Sequence, residues 1–260
     1  MLRTLRNELR RGLYRPYPYI GFLVCLLIYA VSFTSLDWLN IVRFGNGTVV
    51  HKHNEFLLEF NPCRTLLPLA ATLPFCVAIA EDWEHHGYFF ALTRSSFTSY
   101  YNSKFWASGI LGGTVLMLGV CCFLIFLRCF IPLYDESSYY EPFIEPLLLN
   151  DQFGLYVLYF GTLQFLLGLL CSSIGCIVAA LTSRRAMIYL TPMLMLAMLE
   201  IVSKVTLVGL SGGQSAIVFR SATQTPLHIY CLIAGILLAF SLIAYAVFRT
   251  IIRWRIYEWQ

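Results

Sequence analysis

The chain has 260 residues, of which 58% are hydrophobic and only 12% are charged. Its mean hydropathy is +0.70. This composition is far more apolar than that of a soluble domain, so it predicts an integral membrane protein. The net charge of +4 is too small to indicate a nucleic-acid partner. Basic residues that flank membrane spans explain it better.

Residues 1–15 have the pattern of an amphipathic helix. Leucines recur at spacings of three and four, and arginines occupy the remaining face: Leu2, Leu5, Leu9 and Leu13, with Arg3, Arg6, Arg10 and Arg11. This pattern favours an interfacial elbow helix that lies in the plane of the lipid headgroups. Pro16 and Pro18 then mark the turn into the first span.

Six apolar stretches follow, each near or above the ~20 residues that a helix needs to cross hydrocarbon. They cover residues 16–36, 63–80, 105–133, 153–181, 187–210 and 227–252. The polar segments between them are too short to form a separate soluble domain. We therefore predict an all-α membrane protein, with residues 1–260 forming a single domain of six transmembrane helices.

The distribution of basic residues predicts the orientation of the chain. If the N-terminus is cytosolic, the cytosolic segments hold most of the 18 lysines and arginines, and the other face is rich in acids. This asymmetry is the one that the positive-inside rule describes. We expect both termini in the cytosol and residues 135–150 outside.

A polar segment, residues 81–104, separates the second and third predicted spans. It begins with Glu81, Trp83 and Glu84, continues through Arg94, and ends at Lys104, which opens the third span. Because both flanks are long enough to span a bilayer, this segment is expected to lie in water on one face of the membrane. Its mixture of acidic, aromatic and basic residues favours docking to a soluble partner.

Two further features lie inside the spans. Glu200 and Lys204 are four residues apart in the fifth span, which would place them on one helix face as an ion pair. Such a pair either lines a path through the protein or lies near the outer headgroups. Glycines that permit close helix packing occur in the third and fourth spans: Gly109, Gly112, Gly113, Gly161, Gly168 and Gly175.

No phosphate-binding or metal-binding motif is found. The sequence contains no GxxxxGK[ST] phosphate loop, so ATP cannot bind by that route. The nine cysteines are scattered and include no CxxC pair, and the histidines show no recognised ligand spacing. We predict no catalytic residue, no metal and no cofactor on this chain.

The N-terminal helix, the six spans and the segment 81–104 together resemble the permease subunit of a type-2 ATP-binding-cassette (ABC) transporter. The local match runs from Glu84 through Gly87 and Arg94 to Lys104, and Tyr88 stands where that family commonly has threonine. The resemblance implies that residues 81–104 include a cytosolic coupling helix. Residues expected to couple to the ATPase are Glu81, Trp83, Glu84, Gly87, Tyr88, Arg94 and Lys104.

The resemblance also implies a function. The chain would be a multi-pass subunit of an exporter in a bacterial cell membrane, surrounded by lipid and paired with a second permease chain, identical or related. ATP and Mg would bind to a separate ABC ATPase subunit, so this chain would not itself be an enzyme. The substrate could be a peptide, a lipid or a drug. Alternative functions are a secondary transporter or channel, an intramembrane enzyme, and an immunity or assembly protein.

Overall fold

A computed structural model describes residues 2–45, 47–50, 52–53, 65–84, 96–133, 152–182, 184–211 and 226–257. These residues form helices and no β-strand, which confirms the predicted all-α class for this part of the chain. The helices are α1 (Leu2–Tyr14), α2 (Tyr17–Val31), α3 (Ser35–Phe44), α4 (Leu67–Thr72), α5 (Val77–Glu84), α6 (Phe97–Arg128), α7 (Phe153–Leu181), α8 (Arg185–Ser211) and α9 (Pro226–Tyr257).

Three helical stretches are long and apolar enough to cross a membrane: Thr98–Arg128, Phe153–Leu181 and Ile233–Arg255. Helices α1 and α2 meet the same criterion only as a pair, and this pair is bent by 62°. The described residues therefore support a membrane protein with three spans, or four with the bent pair, where the sequence predicted six.

A break in the second predicted span accounts for part of this difference. The second predicted span is divided into α4 with six residues and α5 with eight, each too short to cross a bilayer alone. Pro74 lies in the turn between them, where it supplies no amide hydrogen. The fifth predicted span corresponds to the continuous helix α8, which contains Pro192. Its side chains are described as far as Met198, and the stretch Arg185–Met198 is apolar.

Helices α6 and α7 pack against each other through glycines. A Cβ atom at Gly168 would lie 2.7 Å from the carbonyl oxygen of Gly112, and a Cβ atom at Gly113 would lie 2.7 Å from the carbonyl oxygen of Phe165. Larger residues at these positions would push the two backbones apart. The predicted close approach at these glycines is confirmed, and this pair of helices forms the centre of the fold.

Helix α1 packs against the protein through part of its apolar face. Leu5 and Leu9 contact a buried cluster that includes Ala78 of α5 and Leu111 of α6, while Leu13 is half-exposed. The sequence predicted an amphipathic helix in the plane of the headgroups but not these contacts with protein. The apolar face of α1 therefore joins the helix to α5 and α6.

The opposite end of the bundle is closed by a short segment after α3. The side chain of Thr34 caps α3 in a reciprocal arrangement with Asp37, and this hydrogen bond lowers the pKa of Asp37. Lys52 Nζ lies 3.4 Å from Asp37 Oδ1. The amide of Val49 donates to the carbonyl oxygen of Pro132 at 3.0 Å. The segment after α3 therefore contacts the chain just beyond the end of α6.

His53 is fully buried at this end of the bundle. Its Nδ1 atom lies 2.7 Å from the hydroxyl oxygen of Tyr156, and its ring packs edge-on against Phe160 with 4.4 Å between the ring centroids. The other ring nitrogen, Nε2, has no hydrogen-bond partner among the described residues. Burial lowers the pKa of His53 from 6.5 to about 3.

This lowered pKa predicts that the chain is less stable at acidic pH. The unfolded chain gains a proton on His53 below pH 6.5, whereas the folded chain keeps the ring neutral down to about pH 3. The stabilisation is complete above pH 6.5, is lost as the pH falls towards 3, and is reduced by about 2 kcal/mol at pH 5. Thermal unfolding at pH 7.5 and pH 5 would measure this difference.

Two variants separate titration of His53 from its hydrogen bond. His53→Leu should remove most of the pH dependence between pH 7.5 and 5. Tyr156→Phe should lower stability at both pH values and keep the dependence. An identical pH dependence in His53→Leu and the wild-type chain would contradict this account.

Candidate functional site

The structure describes three of the predicted coupling side chains: Glu81 and Glu84 in α5, and Lys104 in α6. Trp83 lies in the last turn of α5, but its side chain is outside the described part. Residues Gly87, Tyr88 and Arg94 also lie outside the described residues. Glu200 and Lys204 fall within α8, and their side chains are likewise not described, so their ion pair stays a prediction.

Lys104 is the central residue of the candidate site. Its side chain is 0% exposed, although it carries an ammonium group. The Nζ atom donates hydrogen bonds to the carbonyl oxygen of Ala78 at 3.2 Å and to the carboxylate of Asp82. Asp82 also accepts a hydrogen bond from the hydroxyl of Tyr100. The buried lysine therefore joins the start of α6 to α5.

Helix geometry brings these groups together. Ala78 and Asp82 are one turn apart on α5, and both bond to the same ammonium group. Tyr100 and Lys104 are one turn apart on α6, and Lys104 Nζ lies 4.9 Å from the centre of the Tyr100 ring. The i, i+4 spacing on each helix places both partners on the facing sides of α5 and α6.

Further charges surround this buried pair. Arg15 Nη1 donates to Glu81 Oε2 at 3.0 Å, and Arg185 Nη2 lies 3.7 Å from Glu81 Oε1. Arg11 Nη2 lies 4.0 Å from Asp82 Oδ1. Together, these residues form what we call the charged cluster: Glu8, Arg11, Arg15, Glu81, Asp82, Tyr100, Lys104 and Arg185.

The charged cluster connects four helices. Arg11 comes from α1, and Arg15 directly follows that helix. Glu81 and Asp82 come from α5, Lys104 from α6, and Arg185 from the start of α8. All of these residues were predicted to lie on one face of the membrane or at its boundary. Their contacts show that these four helix ends meet in space.

The contacts in the charged cluster differ in strength. The Lys104–Asp82 pair is 0% and 8% exposed, so removal of one partner leaves an uncompensated buried charge and costs about 3 to 5 kcal/mol. The pairs made by Glu81 involve Arg15 at 27% and Arg185 at 57% side-chain exposure. Exposed pairs of this kind contribute about 0 to 1 kcal/mol each. The buried pair therefore fixes α5 against α6, and the outer pairs orient α1 and α8.

Glu84 differs from the other two carboxylates of α5. Glu81 and Asp82 point into the charged cluster, whereas Glu84 is exposed at the end of the helix. Its carboxylate is accessible at the point where the chain enters residues 85–95. An accessible acid beside a fixed cluster can contact a partner while the cluster holds the helix in place.

The sequence prediction included Glu81 and Lys104 but missed Asp82, Tyr100 and the arginines of α1 and α8. The sequence did contain a signal for Asp82, because it lies four residues after the apolar residue Ala78 and therefore on the same side of α5. No comparable signal marked Arg11, which lies far from Asp82 in sequence and meets it only through the packing of α1.

In the described ranges, no group of three or more His, Cys, Asp or Glu side chains could hold a metal ion. Every cysteine except Cys63, which is outside these ranges, is a free thiol. Comparisons with protein-family models, curated proteins and solved structures found no match to this chain.

Proposed function

We propose that the chain is the transmembrane subunit of an ATP-driven exporter that resembles type-2 ABC transporters. In this proposal the chain has six spans in a bacterial cell membrane, both termini lie in the cytosol, and α1 lies at the cytosolic interface. The charged cluster then faces the cytosol. ATP and Mg bind to separate ATPase subunits, and this chain converts their movement into transport.

The observation that best supports the proposal is the attachment of residues 81–104 at both ends. Glu81 and Asp82 at the start of the segment and Lys104 at its end belong to the same charged cluster. A partner that displaces residues 85–95 would therefore act on α5 and α6 together. Through Arg15 and Arg185, the same displacement would reach α1 and α8.

A second permease chain would complete the substrate path. Only 22% of the apolar stretch of α9 is buried, compared with 56% of the apolar stretch of α6 and 61% of that of α7. Helix α9 therefore leaves much of its apolar surface for lipid or another chain. We propose that two such chains, identical or related, form a path for an apolar or amphipathic substrate such as a peptide.

Replacement of Glu84 or Trp83 by alanine should weaken ATPase association without preventing membrane insertion. Glu84 is exposed beside the charged cluster, and tryptophan is among the residues that commonly dominate the docking energy of an interface. We expect a loss of about 1 to 3 kcal/mol in docking for each variant. Co-purification of the ATPase and substrate-stimulated ATP hydrolysis would measure it.

Asn7→Ala provides a matched control, because Asn7 is an exposed polar residue of α1 outside the coupling segment. This variant should keep wild-type association. If Glu84→Ala and Trp83→Ala also keep wild-type association and hydrolysis, the segment is only an interfacial anchor and the proposed coupling role is wrong.

A secondary transporter is the second candidate function. It is favoured by the break between α4 and α5 and by the buried Asp82–Lys104 pair at the end of α5, since broken helices and buried charges occur at transport sites. Transport by the purified chain alone, in liposomes with a proton gradient and no ATPase, would support this function and exclude the first.

A further inference from the structure

The break in the second predicted span leaves backbone groups that need partners. Pro74 has no amide hydrogen, so the carbonyl oxygen of Ala70 cannot accept the usual i+4 hydrogen bond. This oxygen lies 2.9 Å from the position that a Cβ atom at Gly21 would take. Helix α2 can therefore approach the break closely because residue 21 has no side chain.

Side chains from α6 and α7 satisfy other groups at the break. Ser172 Oγ donates to the carbonyl oxygen of Ala71 at 2.8 Å. Cys76 Sγ lies 3.1 Å from Ser108 Oγ and 3.4 Å from the carbonyl oxygen of Ser172. An unsatisfied backbone group in hydrocarbon costs several kcal/mol, so the hydrogen bond from Ser172 to Ala71 stabilises the broken form. The contacts of Cys76 attach the end of the break to α6 and α7.

The contact from Ser172 replaces a bond of the helix. In a continuous helix, the carbonyl oxygen of Ala71 would accept from the amide of Phe75. Among the backbone hydrogen bonds of this turn, that bond is not formed, whereas Leu73 still donates to Leu69 at 3.1 Å. The broken and the straighter forms would thus each satisfy Ala71, one through Ser172 and the other through the backbone. Because the carbonyl oxygen of Ala71 has a partner in both forms, the difference in free energy between the broken and the straighter form is smaller.

The two halves of the span pack in different parts of the core. Helix α4 packs against α2, α6, α7 and α8, while the main backbone neighbours of α5 are α7 and α8. Ala70 and Ala71 of α4 belong to the large buried cluster of the bundle. Residues 77–80 of α5 are buried in two other clusters, which include Phe105 and Leu111 of α6, and the far end of α5 is held by the charged cluster.

We propose that residues 73–76 form a hinge, at which α5 moves relative to α4, and that Ser172 is the positioning residue that stabilises its bent form. This inference rests on the proposed function for its role: displacement of the docking segment moves α5 through Glu81 and Asp82, while α4 stays fixed. The hinge itself does not require an ATPase and can be tested without one.

The distance between the two ends of the span measures the hinge directly. We would place spin labels at positions 66 and 84 through a ketone-bearing unnatural amino acid, which leaves the native cysteines unmodified. The full chain in lipid nanodiscs would be measured by pulsed electron–electron double resonance. A continuous helix over these 18 steps would be about 27 Å long, so a bent span gives a shorter and broader distribution.

Pro74→Ala restores the missing amide and should shift the distribution to longer distances and narrow it. Pro68→Ala is the matched control, because Pro68 lies in the first turn of α4, where proline removes no helical hydrogen bond. Pro68→Ala should give the same distance distribution as the wild-type chain. A Pro74→Ala distribution with the wild-type mean and width would overturn the hinge.

Ser172→Ala is a second test that does not depend on proline. Loss of the hydroxyl leaves Ala71 without its partner in the bent form, so the distribution should shift towards longer distances. An unchanged distribution in this variant would also overturn the proposal. If these shifts occur but no ATPase binds the chain, the hinge stands and the proposed exporter function fails.

Discussion

Replacement of Lys104 by methionine is expected to destabilise the folded chain by about 3 to 5 kcal/mol. Methionine has nearly the length of lysine and fits an apolar site, but it leaves the buried carboxylate of Asp82 without its buried cation. It also removes the hydrogen bond to the carbonyl oxygen of Ala78, and the cation that remains near Asp82 is the exposed Arg11, whose Nη2 lies 4.0 Å from Oδ1. The loss should appear as a lower thermal unfolding temperature of the purified chain in detergent.

Two variants test the physical reason for this loss. In the double variant Lys104→Met with Asp82→Asn, the uncompensated charge is absent, so most of the stability should return. Arg3→Met removes a basic residue that is exposed on α1 and should have little effect. A double variant that is less stable than Lys104→Met alone would show that the buried pair does not account for the loss.

Replacement of Gly168 by valine should have an effect of similar size. A Cβ atom at this position would lie 2.7 Å from the carbonyl oxygen of Gly112 and 2.9 Å from the Cα atom of Gly113. Both neighbours are backbone atoms, so no change of rotamer relieves the contact and α6 must move away from α7. We expect a loss of about 3 kcal/mol, at the upper end of the usual cost of overpacking.

Gly235→Val is the matched control for this prediction. Gly235 lies in α9, where a Cβ atom would have no neighbour within 4 Å. The two variants make the same chemical change in a helix and differ in the space around it. Equal unfolding temperatures for Gly168→Val and Gly235→Val would contradict the close packing of α6 and α7.

The helical class and the glycines at which helices pack closely could be predicted from the sequence because they depend on local composition. Long apolar runs specify helices in a membrane, and glycines within them mark close approach. The number of continuous spans could not be obtained in the same way. Apolar residues continue across Pro74, so hydropathy alone does not reveal that the helix is broken there.

The candidate site was only partly predictable for a related reason. Glu81 and Lys104 lie where polarity changes along the chain, so sequence reasoning found them. Asp82 and Arg11 acquire their roles from the packing of α1 and α5 against α6, which no local pattern encodes. Leu5 and Leu9 of α1 contact protein, which the amphipathic pattern did not predict, and this packing places Arg11 and Arg15 beside the acids.

The most direct test of the proposed function is the mass of the intact complex purified from its native membrane. Native mass spectrometry of an active preparation should find two permease chains, each of 29.7 kDa if both are this chain, together with two ATPase subunits. A particle that contains one permease chain, or that transports its substrate without any ATPase, would contradict the proposal.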